Sequence, residues 1–303
     1  MQTINYSFVI PVYKSVNSLE PLYKGIQEIM IELEKTFEVI FIEDNGSEES
    51  WRKLLELKKA DNDNITLIKL TKNFGQNGAT LCGIEESKGE IIITTDDDLQ
   101  IHPSELKKLI SCHNETGAAV IYGVYKDENQ NRFRNLSSYV LKKIFNKSEG
   151  GSNIGSSIRL FNADMGKHLK KHLQDHLFIN QVLSWYTFDT KFIDIKRNPR
   201  FEGKSGYNYF QLLSIGFRLL FLYTSIPLKI MIVVCVFAAI GSLGFAAYYL
   251  HRHYTLGQGL GFLSFIVIAI SLILASISVM GIYLNRIYTS RVKKPHYAIK
   301  IKL

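Results

Sequence analysis

Short apolar runs alternate with longer amphipathic stretches through the first part of the chain. Between these runs, apolar residues recur at helical spacing over 18–35 and 51–59. Strands separated by helices predict βαβ units, and therefore a mostly parallel α/β sheet that binds its ligands beyond the carboxyl ends of the strands. The runs rich in branched apolar residues predict β-strands at 6–12, 38–42, 65–70, 90–95 and 118–123.

The pattern changes after residue 206. Residues 230–250 and 260–284 contain no charged side chain, and each stretch reaches the roughly 20 apolar residues that span a bilayer. The alternative, a buried helix of a soluble protein, is usually shorter and keeps a polar face. Residues 207–229 are rich in Leu and Phe but include Arg218, which favours helices lying in the membrane surface. We therefore predict an N-terminal α/β domain (1–206), interfacial helices (207–229), a transmembrane hairpin (230–284) and a basic tail (285–303).

The distribution of basic residues predicts how the hairpin is oriented. Lys204, Arg218 and Lys229 precede the first span, and six Lys or Arg residues follow the second span between positions 286 and 302. By the positive-inside rule, both termini are cytosolic and the turn at 251–259 lies on the opposite side. The N-terminal residues lack the basic and apolar segments of a signal peptide. The prediction is a multi-pass protein of the inner (plasma) membrane whose N-terminal domain lies in the cytosol.

The cysteine content and the net charge indicate which disulfides, metals and binding partners to expect. Cys82, Cys112 and Cys235 are odd in number and widely spaced, so neither a disulfide framework nor a zinc site is indicated. The formal net charge is +8. In a chain with two membrane spans, this charge favours anionic lipid headgroups and phosphate-bearing substrates over nucleic acid.

Three consecutive carboxylates, Asp96, Asp97 and Asp98, follow the apolar strand at 90–95. Crowded carboxylates at the ligand-binding edge of a sheet suit Mg²⁺ or Mn²⁺, which such sites hold together with substrate phosphates. The alternative is an acidic turn before the helix that begins at Pro103, because acidic residues are common near helix starts.

Four motifs stand directly after the predicted strands or at their ends: VIPVY at 9–13, EDNGS at 43–47, KNFGQ at 72–76 and DDDLQ at 96–100. With the segments at 155–160, 200–207, 281–288 and 294–297, they resemble the family 2 glycosyltransferases of the GT-A fold. The similarity is greatest to the branch that acts on polyprenyl phosphates, such as dolichol-phosphate mannose synthases and bactoprenol glucosyltransferases. The resemblance implies a Rossmann-like, mostly parallel GT-A domain followed by the membrane segments.

The resemblance also implies a reaction: inverting transfer of a sugar from a UDP- or GDP-sugar to a polyprenyl phosphate of the undecaprenyl type. It implies homo-oligomers assembled through the hairpin, and it places Asp97 at a variable position. For Glu43 the alternative to nucleotide binding is a solvated strand end. For Arg132 and Arg134 the alternative to binding the acceptor phosphate is attraction to the membrane. The implied catalytic residues are Asp98, Arg159 and Arg200; the metal ligands Asp96, Asp98 and Gln100; the nucleotide-binding residues Pro11, Tyr13, Glu43, Asp44, Asn73 and Asp96; and the acceptor-phosphate residues Arg132, Arg134 and Ser205.

Two positions depart from the family pattern. Ser157 stands where relatives often have Asp, sometimes offered as a general base, and Gly206 stands where they often have Lys. A phosphate monoester has a second pKa near ~6 and ionises without help, so a phosphate acceptor needs no side-chain base. Asp175 is the alternative base.

Other interpretations remain open. His168, His172 and His176 lie at helical spacing and suggest a metal site, although neighbouring lysines favour a basic surface face. A processive polysaccharide synthase would need more spans than two. A non-catalytic sugar-nucleotide-binding membrane protein is the second alternative, because Ser157 and Gly206 depart from the pattern.

Overall fold

A computed structural model of the chain describes residues 3–125, 157–172, 179–187, 189–198 and 295–303, together with scattered helical positions between 231 and 288. The chain divides into two compact units. One consists of Met1–Ser205 with Lys294–Leu303, and the other is Gly206–Lys293.

The first unit is built from strands and helices that alternate in its N-terminal half. Among the described residues the helices are α1 (Leu19–Glu32), α2 (Glu48–Ala60), α3 (Gln76–Glu86), α4 (Ser104–Thr116), α5 (Ala163–His172) and α6 (Ile179–Tyr186). The strands are β1 (Tyr6–Val12), β2 (Phe37–Glu43), β3 (Ile65–Leu70), β4 (Ile91–Thr94), β5 (Val120–Tyr125), β6 (Arg159–Asn162), β7 (Thr190–Ile195) and β8 (Ile299–Lys302).

The strands form one eight-stranded sheet in the order β7-β5-β6-β4-β1-β2-β3-β8. Its centre, β4-β1-β2-β3, is parallel, whereas β6 pairs antiparallel with both β4 and β5. The predicted α/β sheet is confirmed, and it is mixed rather than wholly parallel. Because the four central strands point the same way, the loops that follow them meet at one edge.

Both faces of the sheet are covered. Phe8, Ile10 and Phe41 pack on the side of α1, α2 and α4, and their neighbours Val9 and Ile40 pack on the side of α3, α5 and α6. Strands buried on both faces are continuously apolar, which explains why β1 and β2 were predictable from sequence.

Helix α3 lies very close to the sheet. A Cβ atom added at Gly83 would overlap the side chains of Val9 and Ile42, so only glycine permits this approach. The first turn of α3 is thereby fixed beside the loops that follow β1 and β2.

The C-terminal segment returns to the first unit as the edge strand β8. Leu303 and Leu67 exchange backbone hydrogen bonds of 2.9 and 3.1 Å, and Thr71 donates to the carbonyl of Ala298 at 2.9 Å. The Tyr297 hydroxyl donates to Glu85 at 2.6 Å. The sequence pattern predicted only a basic tail at 285–303. The missed signal is the alternation of Ile and Lys at 299–302, which turns Ile301 toward the core.

The described positions of Gly206–Lys293 are helical, and many of their apolar side chains are exposed, including Phe237, Ile240 and Ile277. Among the residues that the structure describes, no helix is long and apolar enough to cross a bilayer. The predicted interfacial helices at 207–229 lie outside the described residues, as does much of the two predicted spans at 230–250 and 260–284.

Candidate active site

Three loops meet at the carboxyl edge of the parallel strands, after β1, β2 and β4. Each contains a non-glycine residue with left-handed backbone: Lys14 (φ 63°), Asn45 (φ 51°) and Leu99 (φ 52°). This conformation is uncommon for residues with a side chain and often occurs at functional sites. The three loops together form the candidate site.

Asp97 joins the loop after β4 to the loop after β1. Its Oδ2 accepts a hydrogen bond from the backbone N–H of Tyr13 at 3.0 Å, and its carbonyl accepts one from the Ser18 hydroxyl. Burial raises the pKa of the Asp97 carboxyl to about 6, although hydrogen bonds from Ser15 and Tyr13 oppose the rise. The Asp97 carboxylate therefore stabilises the loop after β1.

Both carboxylate oxygens of Asp96 are held by side chains. Gln76 Nε2, at the start of α3, donates to Oδ1 at 2.6 Å, and the Ser157 hydroxyl, just before β6, donates to Oδ2 at 2.5 Å. Thr94 in turn donates to the Ser157 carbonyl at 2.6 Å. Burial raises the pKa of Asp96, and the neighbouring charge of Asp98 adds to the rise. A cation placed here would offset both effects.

The donor set at this edge fits a divalent cation that takes further ligands from its substrate. Mg²⁺ is commonly bound by one or two carboxylates plus substrate phosphates, and Asp96 and Asp98 supply two. Among the described residues, no cluster of three or more His, Cys, Asp or Glu side chains is arranged to hold a metal alone. Asp98 Oδ1 accepts the backbone N–H of Gln100 at 3.1 Å, which orients its carboxylate.

Gln100, the third predicted metal ligand, is buried and bonded to an arginine. Its Oε1 accepts hydrogen bonds from Nε and Nη2 of Arg197 at 3.2 and 2.8 Å. Arginine only donates, so the amide oxygen must face it, and two bonds use both lone pairs of that oxygen. A metal held by Asp96 and Asp98 would have to compete with Arg197 for Gln100 Oε1.

The residues predicted to shape the nucleotide pocket surround the loop after β1. Pro11 is buried within β1, whereas the Tyr13 ring is 49% exposed at the sheet edge. A Cβ added at Gly46 would lie 2.9 Å from the Tyr13 ring and 2.8 Å from the Lys14 nitrogen, so glycine is required for this contact. An exposed aromatic ring supported by backbone suits stacking on a flat base.

Glu43 and Asp44 are adjacent and support two different loops. Glu43 is fully buried, and its Oε1 accepts the N–H groups of Gly46 and Ser47 at 2.6 and 3.2 Å. Its Oε2 is buried without a hydrogen-bond partner among the described residues. The alternative that Glu43 is a solvated strand end is therefore wrong.

Asp44 holds the turn that leads into α3. Its two oxygens accept the N–H groups of Phe74 and Gly75 at 2.7 and 2.8 Å, and Asn73 Oδ1 also accepts from Gly75, at 2.9 Å. Gly75 has φ of 82°, a conformation that favours glycine. Asp44 and Asn73 thus fix the turn before Gln76, the residue that binds Asp96.

We expect Asp44→Asn to lower the free energy of unfolding by about 1–3 kcal/mol, because an amide replaces one acceptor with a donor that faces a backbone N–H. Urea titration followed by circular dichroism measures the change. The matched control is Asp63→Asn at an exposed site, which should unfold like the wild type. Equal midpoints for the two variants would contradict this role for Asp44.

Arg159 lies on β6 beside Tyr122 and the end of β4. Its side chain is buried, and burial lowers the pKa of its guanidinium to about 10, opposed by the charges of Tyr122 and Asp96. At neutral pH it therefore supplies a buried positive charge close to the acidic loop. Such a charge stabilises anions at this edge more strongly than a solvated one.

Several predicted residues lie outside the described residues: Arg132, Arg134, Asp175, Arg200, Ser205 and Gly206. Of the three histidines, His176 lies outside as well, and the side chain of His172 is not described. His168 stacks on Tyr186 at 4.3 Å between ring centroids, which packs α5 against α6. Gln76 and Arg197 had no predicted role, although Gln76 ends the KNFGQ motif.

The family model for glycosyl transferase family 2 matches residues 7–174, more than half of the chain. The chain belongs to glycosyl transferase family 2. This membership confirms the predicted enzyme class, a glycosyltransferase. The match contains the three loops of the candidate site, whereas Arg197, which follows β7, lies beyond it.

Other comparisons extend beyond the matched region. This family 2 glycosyltransferase is 25% identical over 305 residues to an uncharacterized glycosyltransferase from Synechocystis sp., covering 98% of this chain and 95% of the relative. Among solved structures, glucosyl-3-phosphoglycerate synthase from Mycobacterium tuberculosis, with Mn²⁺, UDP and phosphoglyceric acid, has a TM-score of 0.49 at 14% identity, covering 70% of this chain and 74% of that chain. TarS 1-349 from S. aureus, with UDP-GlcNAc, has a TM-score of 0.45 at 17% identity, covering 68% and 62%.

Proposed function

We propose that this family 2 glycosyltransferase moves a sugar from a UDP- or GDP-sugar to a polyprenyl phosphate at the cytosolic face of the inner membrane, using Mg²⁺ or Mn²⁺. The observation that carries the proposal is the pair Asp96 and Asp98 at the carboxyl edge of the sheet, next to the loops that form the candidate nucleotide pocket. The polyprenyl branch is supported by the sequence resemblance over nearly the whole chain.

A divalent cation would supply positive charge for the departing nucleoside diphosphate. Asp96 and Asp98 would hold that cation, and the buried Arg159 adds a fixed positive charge nearby. An oxygen of the acceptor phosphate attacks C1 of the sugar, the bond from C1 to the diphosphate breaks, and the configuration inverts. The phosphate is ionised near neutral pH, so no side chain need remove a proton. The Ser157 hydroxyl donates a hydrogen bond to Asp96 and positions that carboxylate.

The two uncharged stretches at 230–250 and 260–284 are proposed to span the membrane. The exposure of Phe237, Ile240 and Ile277, at 70%, 61% and 58%, supports the proposal, because exposed apolar helical positions suit a lipid environment. We further propose that both termini are cytosolic and that copies of the chain associate through the hairpin.

The decisive experiment incubates the full chain, in lipid bilayers, with radiolabelled UDP- and GDP-sugars and undecaprenyl phosphate, followed by lipid extraction. We expect label in the lipid fraction with Mg²⁺ or Mn²⁺ and none with excess chelator. Undecaprenol is the matched control, because it lacks only the phosphate. Equal labelling of the alcohol, or labelled polymer in place of a single lipid-linked sugar, would contradict the proposed acceptor.

The orientation gives a separate prediction. A reporter inserted near Thr255 and a second one fused after Leu303 should lie on opposite sides of the membrane, as the flanking basic residues indicate. The second reporter needs a flexible linker, because the backbone of Leu303 pairs with Leu67. Accessibility of both reporters to a membrane-impermeant reagent on the same side would require different spans.

A further inference from the structure

Arg197 is fixed beside the acidic loop by three contacts. Its Nε and Nη2 bind Gln100 Oε1, and its guanidinium lies 4.9 Å from the centre of the Tyr125 ring. The next residue, Asn198, donates its N–H to the Gln100 carbonyl at 2.7 Å. Arg197 is exposed, but these contacts hold its side chain on two sides. Because the side chain has already lost much of its freedom, binding a ligand would cost it little further entropy.

Among the residues that the structure describes, Arg197 is held by groups that carry no negative charge. Gln100 supplies a neutral oxygen, and among the described residues no carboxylate lies within ion-pair distance of Arg197, although Asp98 is only two positions from Gln100. Two of the five guanidinium N–H groups are used by Gln100. A glutamate at position 100 would hold the same geometry but would cancel the charge.

A planar guanidinium with remaining donors matches the oxygens of a phosphate group. Carboxylate anions would match too, but the proposed reaction brings phosphates to this edge. We propose that Arg197 is a phosphate-binding residue of this site, positioned by Gln100 and Tyr125. The proposal rests on the proposed function. The phosphate belongs either to the donor's diphosphate or to the lipid acceptor.

Binding measurements separate the two sources and do not depend on turnover. The full chain in detergent is titrated with UDP and GDP in the presence of Mn²⁺ by calorimetry. Undecaprenyl phosphate is then titrated into the nucleotide-loaded protein. We expect Arg197→Gln to weaken one of these affinities by about 10- to 100-fold, the range for hydrogen bonds to a charged group, and Arg197→Lys to weaken it less. Weaker nucleotide binding identifies the donor, and weaker lipid binding identifies the acceptor.

Two controls show that the loss comes from phosphate recognition at this position. Uridine and guanosine lack phosphate, so their affinities should be equal in the wild type and in Arg197→Gln. Lys191→Gln removes a positive charge from an exposed site at the other end of β7, and it should change each affinity less than about twofold, as solvated distant charges are screened. Thermal unfolding confirms that each variant is folded.

The outcomes also separate this proposal from the proposed function. If the wild type binds nucleotide or lipid phosphate and Arg197→Gln binds both with unchanged affinity, only the role of Arg197 is overturned. If the wild type binds neither UDP, GDP nor lipid phosphate, both proposals are wrong. If Arg197→Gln and Lys191→Gln weaken binding equally, the effect is one of net charge, and the specific role of Arg197 is again overturned.

Discussion

Asp98→Asn is expected to reduce sugar transfer by at least about a thousandfold, because an amide removes a negative charge from the site proposed to hold the cation that stabilises the leaving diphosphate. The measurement is the initial rate of lipid labelling at saturating donor and Mn²⁺. Mn²⁺ affinity, followed by electron paramagnetic resonance, should fall in parallel. The melting temperature should stay close to that of the wild type.

The matched control is the neighbouring substitution Asp97→Asn. The Asp97 carboxylate accepts the N–H of Tyr13, so its replacement should lower stability while Mn²⁺ affinity is retained. Full transfer by Asp98→Asn, or by the wild type in excess chelator, would show that the acidic loop holds no essential cation. Equal loss of Mn²⁺ binding in both variants would show that the loop attracts the cation through its total negative charge and that Asp98 is not a specific ligand.

Deletion of residues 295–303 is expected to destabilise the first unit by about 3 kcal/mol or more. The segment pairs with β3 as the strand β8. Outside that ladder it makes three backbone hydrogen bonds to Leu67 and Thr71 and two side-chain bonds, from Tyr297 to Glu85 and from Lys302 to Glu86, and each contributes about 0.5–1.5 kcal/mol net. The deletion also turns β3 into an open edge. Thermal unfolding in detergent and light scattering measure the two effects.

Lys300→Gln is the control for the deletion, because it removes one exposed charge and leaves β8 in place. It should unfold like the wild type. If the truncated chain kept the melting temperature and stayed monodisperse, β8 would contribute little to the sheet. A truncated chain that is stable but inactive would instead point to the contact of the His296 carbonyl with Gly78 in α3.

The central strands were predictable because burial on both faces leaves a continuous apolar run, as in 6–12 and 65–70, whose predicted bounds match β1 and β3. Strands with a mixed pattern, β7 and β8, were missed. β7 contains Lys191 and Asp194, and β8 alternates Ile with Lys. Their place in the sheet depends on partners far along the chain, which local pattern does not contain.

The site was predictable only in part, for a similar reason. The position of Asp96 and Asp98 after an apolar strand indicated where ligands bind. The partner of each side chain was not indicated, since Gln100 meets Arg197 across 97 positions and Asp44 meets Gly75 across 31.

The pairing of β8 with β3 also determines when the sheet can be completed. The side-chain bond from Lys302 to Glu86 spans 216 positions, and at about 5–20 residues per second the ribosome needs roughly 10–40 s to make that length. During this time the edge of β3 is open to other chains. If residues 230–284 form the proposed hairpin, the catalytic domain closes its sheet only after the membrane segments have been synthesised. Slow insertion would therefore lengthen the period in which the nascent enzyme can aggregate or requires a chaperone.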